Sequence, residues 1–183
     1  MNKLIYLDDG NFKIKQIFDT VSSFQINDLN QYYIKRDFSS LVELKSENIN
    51  NILQYNGFET YDRSKIENIK QLLKDLESED DKIVVIIDIF LETDTQNDDL
   101  GSNYIFKKIM DILIRTPLDL NIIIQSGVAD YSGDRWKNIA EMPQGTYDHV
   151  KSFYYQNLTG ESDGDITEFE NYLKKIMNNE VNI

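Results

Sequence analysis

The chain has 183 residues and a formal charge of −13, with 32 Asp and Glu against 19 Lys and Arg. No basic cluster interrupts that charge, so lasting contact with a nucleic-acid backbone is electrostatically opposed. The absence of cysteine and the single histidine, His149, exclude disulfides, zinc-thiolate sites, thiol nucleophiles and multi-histidine metal sites.

Any metal would therefore be held by oxygen ligands, which suits Mg²⁺, Mn²⁺ or Ca²⁺. Asp8 and Asp9 follow the N-terminus too soon for a signal peptide, and no apolar run approaches the roughly 20 residues of a membrane span. We expect a cytoplasmic protein with no membrane association, forming a single domain over residues 1–183.

Lys3 to Leu7 (KLIYL) reads as a first buried strand that delivers Asp8 and Asp9 to its carboxyl end. Ile14, Ile17, Phe18 and Val21 recur at helical spacing, which predicts a helix from Asn11 to Phe24. Residues 25–45 follow neither a strand nor a helix period, which leaves a short strand pair or an irregular extension, and Tyr32 and Tyr33 in that stretch suggest an exposed contact surface. Ser46 is a good N-cap for a helix ending at Asn56-Gly57, and Phe58 to Tyr61 reads as a brief strand. Ser64 and Glu67 form a capping box ahead of a helix faced by Ile66, Ile69, Leu73 and Leu76.

The most informative stretch is Ile83 to Leu91, IVVIIDIFL, in which one carboxylate interrupts a run of branched and aromatic residues. Such a run suits a strand covered on both faces, and Asp88 is tolerated there if it lies at the carboxyl end. A polar loop, Glu92 to Gly101, leads to a helix from about Ser102 that Pro117 stops. Leu120 to Ile124 is another buried strand, ending in Gln125-Ser126-Gly127. A helix around Arg135 to Glu141 and a last strand, Asp148 to Phe153, carrying Lys151, come next. Asp165 and Glu168 cap a final helix faced by Ile166, Phe169, Leu173 and Ile176.

Strands alternating with helices argue for a parallel, helix-covered sheet. If the strands are parallel, Asp8, Asp9, Asp88, Ser126 and Lys151 lie at one edge. Three carboxylates there would repel one another unless a cation separates them, and Mg²⁺ with one or two carboxylate ligands and waters meets that need. A lysine and a hydroxyl beside it would supply donors to an anion such as a phosphoryl group.

The segments KLIYLDD, NGFETYD, VVIIDIF with the later Gly101, NIIIQSG and YDHVKSF stand in the order found in receiver domains of two-component response regulators, and the chain resembles that family. The resemblance implies a doubly wound α/β fold of the flavodoxin-like receiver type, with a parallel five-stranded sheet. Asp9 and Gly57 stand roughly 30 residues further apart than one helix needs. That excess implies an insertion between the first and second strands, within about residues 11–45. The first helix is then either Asn11 to Phe24 or Ser46 to Tyr55.

By the resemblance, Asp88 is the phosphoacceptor, and Asp8, Asp9, Asp88 and the backbone carbonyl of Phe90 hold Mg²⁺. Lys151 and Ser126 would contact phosphoryl oxygens. Ser152 stands where the family commonly has proline, and Asp148 where it often has a switch aromatic.

The implied function is phosphorylation by a histidine kinase or phosphotransfer protein that switches contacts with a separate downstream protein. The resemblance also allows a homodimer through the face of the last two strands. No enzymatic turnover is expected beyond self-phosphorylation from small phosphodonors and self-dephosphorylation. Two other readings stand beside this one: a receiver-like interaction module that no longer cycles phosphate, and a Mg²⁺-dependent phosphatase with an aspartate nucleophile. The second of these lacks a DxD pair, because LDDGN offers adjacent aspartates.

Overall fold

A computed structural model of the chain describes residues 1–8, 10–34, 40–49, 66–75, 81–89, 91, 104–127, 136–139, 142, 147–161 and 166–178. Its strands are β1 (Asn2–Leu7), β2 (Leu29–Ile34), β3 (Leu41–Glu43), β4 (Lys82–Asp88), β5 (Leu120–Ser126) and β6 (Val150–Tyr154). The described helices are α1 (Asn11–Ser23), α2 (Ile66–Lys74), α3 (Tyr104–Arg115), α4 (Trp136–Ile139), α5 (Tyr155–Thr159) and α6 (Thr167–Met177), and residues 46–49 are helical as well.

The sheet has six strands in the order β3-β2-β1-β4-β5-β6, all parallel except β3, which pairs antiparallel to β2. From β1 the chain moves outward to β2 and β3. It then crosses to β4 on the other flank of β1 and continues outward to β6. The direction of winding reverses between β1 and β4, and an open α/β sheet forms a crevice at the carboxyl ends of the two strands flanking such a reversal.

The two central strands are buried on both faces, which is why they read as continuous apolar runs. Ile5, Leu7, Ile83, Val85 and Ile87 enter one core with Ile69 and Leu73 of α2, Ile105 to Leu113 of α3 and Trp136 of α4. Leu4, Tyr6, Val84 and Ile86 enter the other, with Ile14, Ile17 and Val21 of α1, Leu158 of α5 and Phe169, Leu173 and Met177 of α6. Phe169 meets Phe24 and Phe153 edge to face, with ring centroids 5.7 and 5.8 Å away.

Several expectations change. The sheet has a sixth strand, and of the two readings of the stretch 25–45 the strand pair is the one found, as β2 and β3. Residues 8–28, with one 13-residue helix, join β1 to β2. That is an ordinary crossover length, and α1, β2 and β3 occupy the described part of residues 11–45, where the insertion was expected. Tyr32 and Tyr33 are half-buried in β2 and not on an exposed patch, and Tyr33 packs against the α1 core.

The last strand begins at Val150 and runs to Tyr154, where the short helix α5 follows directly. Ile166 occupies the N-cap of α6 with no side-chain capping bond, and Glu168 pairs elsewhere. The expected strand at Phe58 to Tyr61, the loop Glu92 to Gly101, Ser64 and Asp165 lie outside the described residues.

The packing of α1 sets a measurable contrast. Ile17→Ala, which empties a buried position between α1 and the sheet, should cost about 2–5 kcal/mol. Lys15→Ala removes only the surface pair with Asp19 and should cost at most about 0.5 kcal/mol. Urea denaturation of both variants checks the difference.

Candidate functional site

Three polar side chains stand in a row across the sheet at the reversal point. Asp88 is the last residue of β4 and lies opposite Gln125 of β5. The β1–β4 register pairs Leu7 with Ile87, so the next position sets Asp8 beside Asp88. Alternation along each strand directs all three to the α1 side, following Tyr6, Ile86 and Ile123. All are buried: Asp8 is 6% exposed, and Asp88 and Gln125 are each 1% exposed.

Carboxylates on adjacent strands lie about 5 Å apart and repel by about 3 kcal/mol at an effective dielectric of 20. The protein compensates each one differently. The Gln125 amide donates from Nε2 to Asp8 Oδ2, and the Gly10 N–H donates to Asp8 Oδ1 at 2.6 Å. Asp88 is met by the Lys13 ammonium, which pairs with its Oδ2. The remaining Gln125 oxygen, Oε1, is buried with no hydrogen-bond partner among the described residues. A buried acceptor left so costs about 1–3 kcal/mol, which makes this a position where a donor or a cation is favoured.

The local sequence explains how Lys13 arrives. β1 ends at Leu7, and α1 starts four residues later at Asn11, with Gly10 as its N-cap. The first turn of α1 therefore stands over the carboxyl edge. A Cβ at Gly10 would come within 3.0 Å of Asp8 Oδ1 and 3.5 Å of the Lys13 stem, so glycine leaves room for both. A cation in the first turn opposes the helix dipole, and the Asp88 carboxylate offsets that cost.

Tyr155, the first residue of α5, closes this side. Its hydroxyl donates to Gln16 Oε1 on α1, and its ring centroid is 5.7 Å from Lys13 Nζ. Burial pushes its phenol well above the ordinary value of 10, helped by the negative charges of Glu161, Asp8 and Asp88. The ring is thus a neutral wall beside the Lys13–Asp88 pair.

Of the residues expected here from sequence, Asp8 and Asp88 come together. Ser126 ends β5 at the same edge, fully buried, and alternation turns it to the face opposite Gln125. Asp9 and Phe90 lie outside the described residues. Lys151 is placed differently. It is the second residue of β6, paired in register with Ile123, two positions short of the row containing Gln125 and Asp88. At about 3.3 Å per residue, that sets its backbone about 7 Å below the row.

The Lys151 ammonium pairs with Glu168 of α6 at 2.7 Å and lies 4.9 and 5.0 Å from the ring centroids of Phe153 and Tyr172. Lys13, Gln125 and Tyr155 are the members that sequence reasoning missed. Gln125 carried a signal, being an amide inside the apolar run LNIIIQS.

No protein-family model matches the chain, and no curated protein matches it. Among the described residues no helix is long and apolar enough to cross a membrane, and no three His, Cys, Asp or Glu side chains gather as a metal site. The described cluster contributes two carboxylates and an amide oxygen. This all-oxygen set suits a small hard cation.

The phenols make the fold sensitive to alkali. Burial raises Tyr6 and Tyr155 well above 10, and Tyr172 to about 12. The unfolded chain ionises these groups near pH 10 while the folded chain does not. Their contribution is complete below pH 10 and declines as pH rises through the folded values. Urea midpoints between pH 8 and 11.5 should fall, and Tyr155→Phe should flatten that fall.

Proposed function

We propose that the protein is a phosphoacceptor signalling domain of the receiver type, with Asp88 as the residue that takes the phosphoryl group. The observation that carries this reading is the pair of buried carboxylates, Asp8 and Asp88, side by side at the winding reversal, next to an amide oxygen lacking a partner among the described residues. Without the antiparallel β3, the order β2-β1-β4-β5-β6 is compatible with a flavodoxin-like receiver arrangement.

Asp8 and Asp88 would hold Mg²⁺, together with Asp9 and the Phe90 carbonyl, and the ion would neutralise the charge of the incoming phosphodonor. Asp88 supplies the nucleophilic oxygen. Gln125 and the Gly10 N–H hold Asp8 in place, and Tyr155 limits water on the α5 side. The donor would be a histidine kinase or phosphotransfer protein, and the recipient of the signal a separate protein. A surface with a formal charge of −13 favours protein partners over nucleic acid.

A second reading has an observation of its own. Lys151 is engaged by Glu168 and two aromatic faces, away from the carboxylate row, and Asp88 is almost fully buried. These favour an interaction module that keeps the fold without cycling phosphate.

Intact mass after incubation with Mg²⁺ and acetyl phosphate separates the two. A phosphoacceptor gains about 80 Da, dependent on metal and absent in Asp88→Asn. An interaction module gains nothing, and Asp88→Asn leaves its partner binding unchanged.

A further inference from the structure

Lys13 and Lys151 both lie on the α1 and α6 face of the sheet, and of these two only Lys13 reaches the carboxylate row. We infer that Lys13, and not Lys151, is the cation that serves Asp88, pairing with the carboxylate at rest and with a phosphoryl oxygen once Asp88 is modified. The inference rests on the phosphoacceptor reading above.

Three observations converge on Lys13. Its ammonium already contacts Asp88 Oδ2, the atom that would form or flank the new bond. Its side chain is 34% exposed while Asp88 is 1% exposed, so the lysine spans from solvent to a buried nucleophile. Its stem runs beside Gly10, where a Cβ would come within 3.5 Å of Cγ and Cδ, and its Nζ stands 5.7 Å from the Tyr155 ring centroid. A lysine has a compact charge on a flexible stem, so it can transfer its hydrogen bonds to a new acceptor by a small rotation.

The register excludes Lys151 from that role without a rearrangement. Lys151 lies opposite Ile123, whereas Asp88 lies opposite Gln125, and Glu168 and the faces of Phe153 and Tyr172 already engage the Lys151 ammonium.

With acetyl phosphate as donor, an Asp88 carboxylate oxygen attacks phosphorus and forms the new O–P bond. The bond from phosphorus to the acetyl oxygen breaks, and its electron pair leaves on acetate. Lys13 keeps its three protons throughout and donates hydrogen bonds first to Asp88 and then to the phosphoryl group.

The test compares wild type, Lys13→Gln, Lys13→Arg and Lys151→Gln in a time course of mass gain with Mg²⁺ and acetyl phosphate. The inference expects at least a tenfold slower gain for Lys13→Gln, partial recovery in Lys13→Arg, and a rate within twofold of wild type for Lys151→Gln. Lys13→Gln within twofold of wild type, or Lys151→Gln as slow as Lys13→Gln, overturns it. A wild type that gains no mass defeats the phosphoacceptor reading itself, and the inference falls with it.

A second measurement needs neither metal nor phosphodonor. Urea midpoints of Lys13→Gln, Asp88→Asn and the double variant should be non-additive, with Lys13→Gln destabilising the wild type but not the Asp88→Asn chain. A single variant that unfolds while the double variant folds counts as the same result. Additive losses overturn the pairing.

Discussion

A carboxylate at the end of a strand buried on both faces sets the terms for the rest of this structure. The strand β4 has apolar side chains on each face along its length, and Asp88 is 1% exposed at its end. An unpaired charge in such a place would cost several kcal/mol. Much of the architecture around the carboxyl edge can be read as the response. The turn from β1 is short, α1 starts directly over the edge, Gly10 leaves space, and Lys13 descends onto Asp88. Asp8, the neighbouring carboxylate, receives neutral donors from Gln125 and the Gly10 N–H.

The opposite edge of the same two strands is organised by charge as well. Asp81, just before β4, receives the N-terminal amine at 3.0 Å and the Lys3 ammonium, so β1 and β4 are tied by charge where they begin. The sixth strand and the last helix are joined in a third way. Lys151 and Glu168 link β6 to α6 above an aromatic group formed by Phe153, Phe169 and Tyr172. Lys13 and Lys151 thus have separate tasks on one face, the first at the crevice and the second as a fastening between a strand and a helix.

Chemical capacity follows from this division. The crevice brings together two buried carboxylates, an amide oxygen lacking a partner among the described residues and a lysine ammonium, with a neutral phenol as one wall. On the phosphoacceptor reading proposed above, such a set would act on a phosphoryl group by charge compensation and positioning, with little demand for proton transfer. The lone histidine does not enter it: His149 precedes β6 at the amino edge of the sheet, where its carbonyl accepts from the Ile122 N–H at 2.8 Å.

Local pattern alone made β1, α1, β4, β5 and the apolar faces of α3 and α6 legible, because each buries a continuous run or a helical stripe whose period is written in adjacent residues. Asp8 and Asp88 were legible for the same reason, as charges closing apolar runs. The strands β2 and β3 were not. In LNQYYI only Ile34 is buried and Gln31 faces inward to accept from the Tyr6 hydroxyl at 2.6 Å, so this strand next to the sheet edge carries polar residues on both faces and shows no alternation. Lys151 was legible as a lysine near a strand end, but β5–β6 register decides its height, and register depends on pairing between distant segments. Lys13 reads in sequence as an ordinary helix lysine. Its partner is 75 residues away, and only the crossing of α1 over the end of β4 turns that residue into the counter-ion of Asp88.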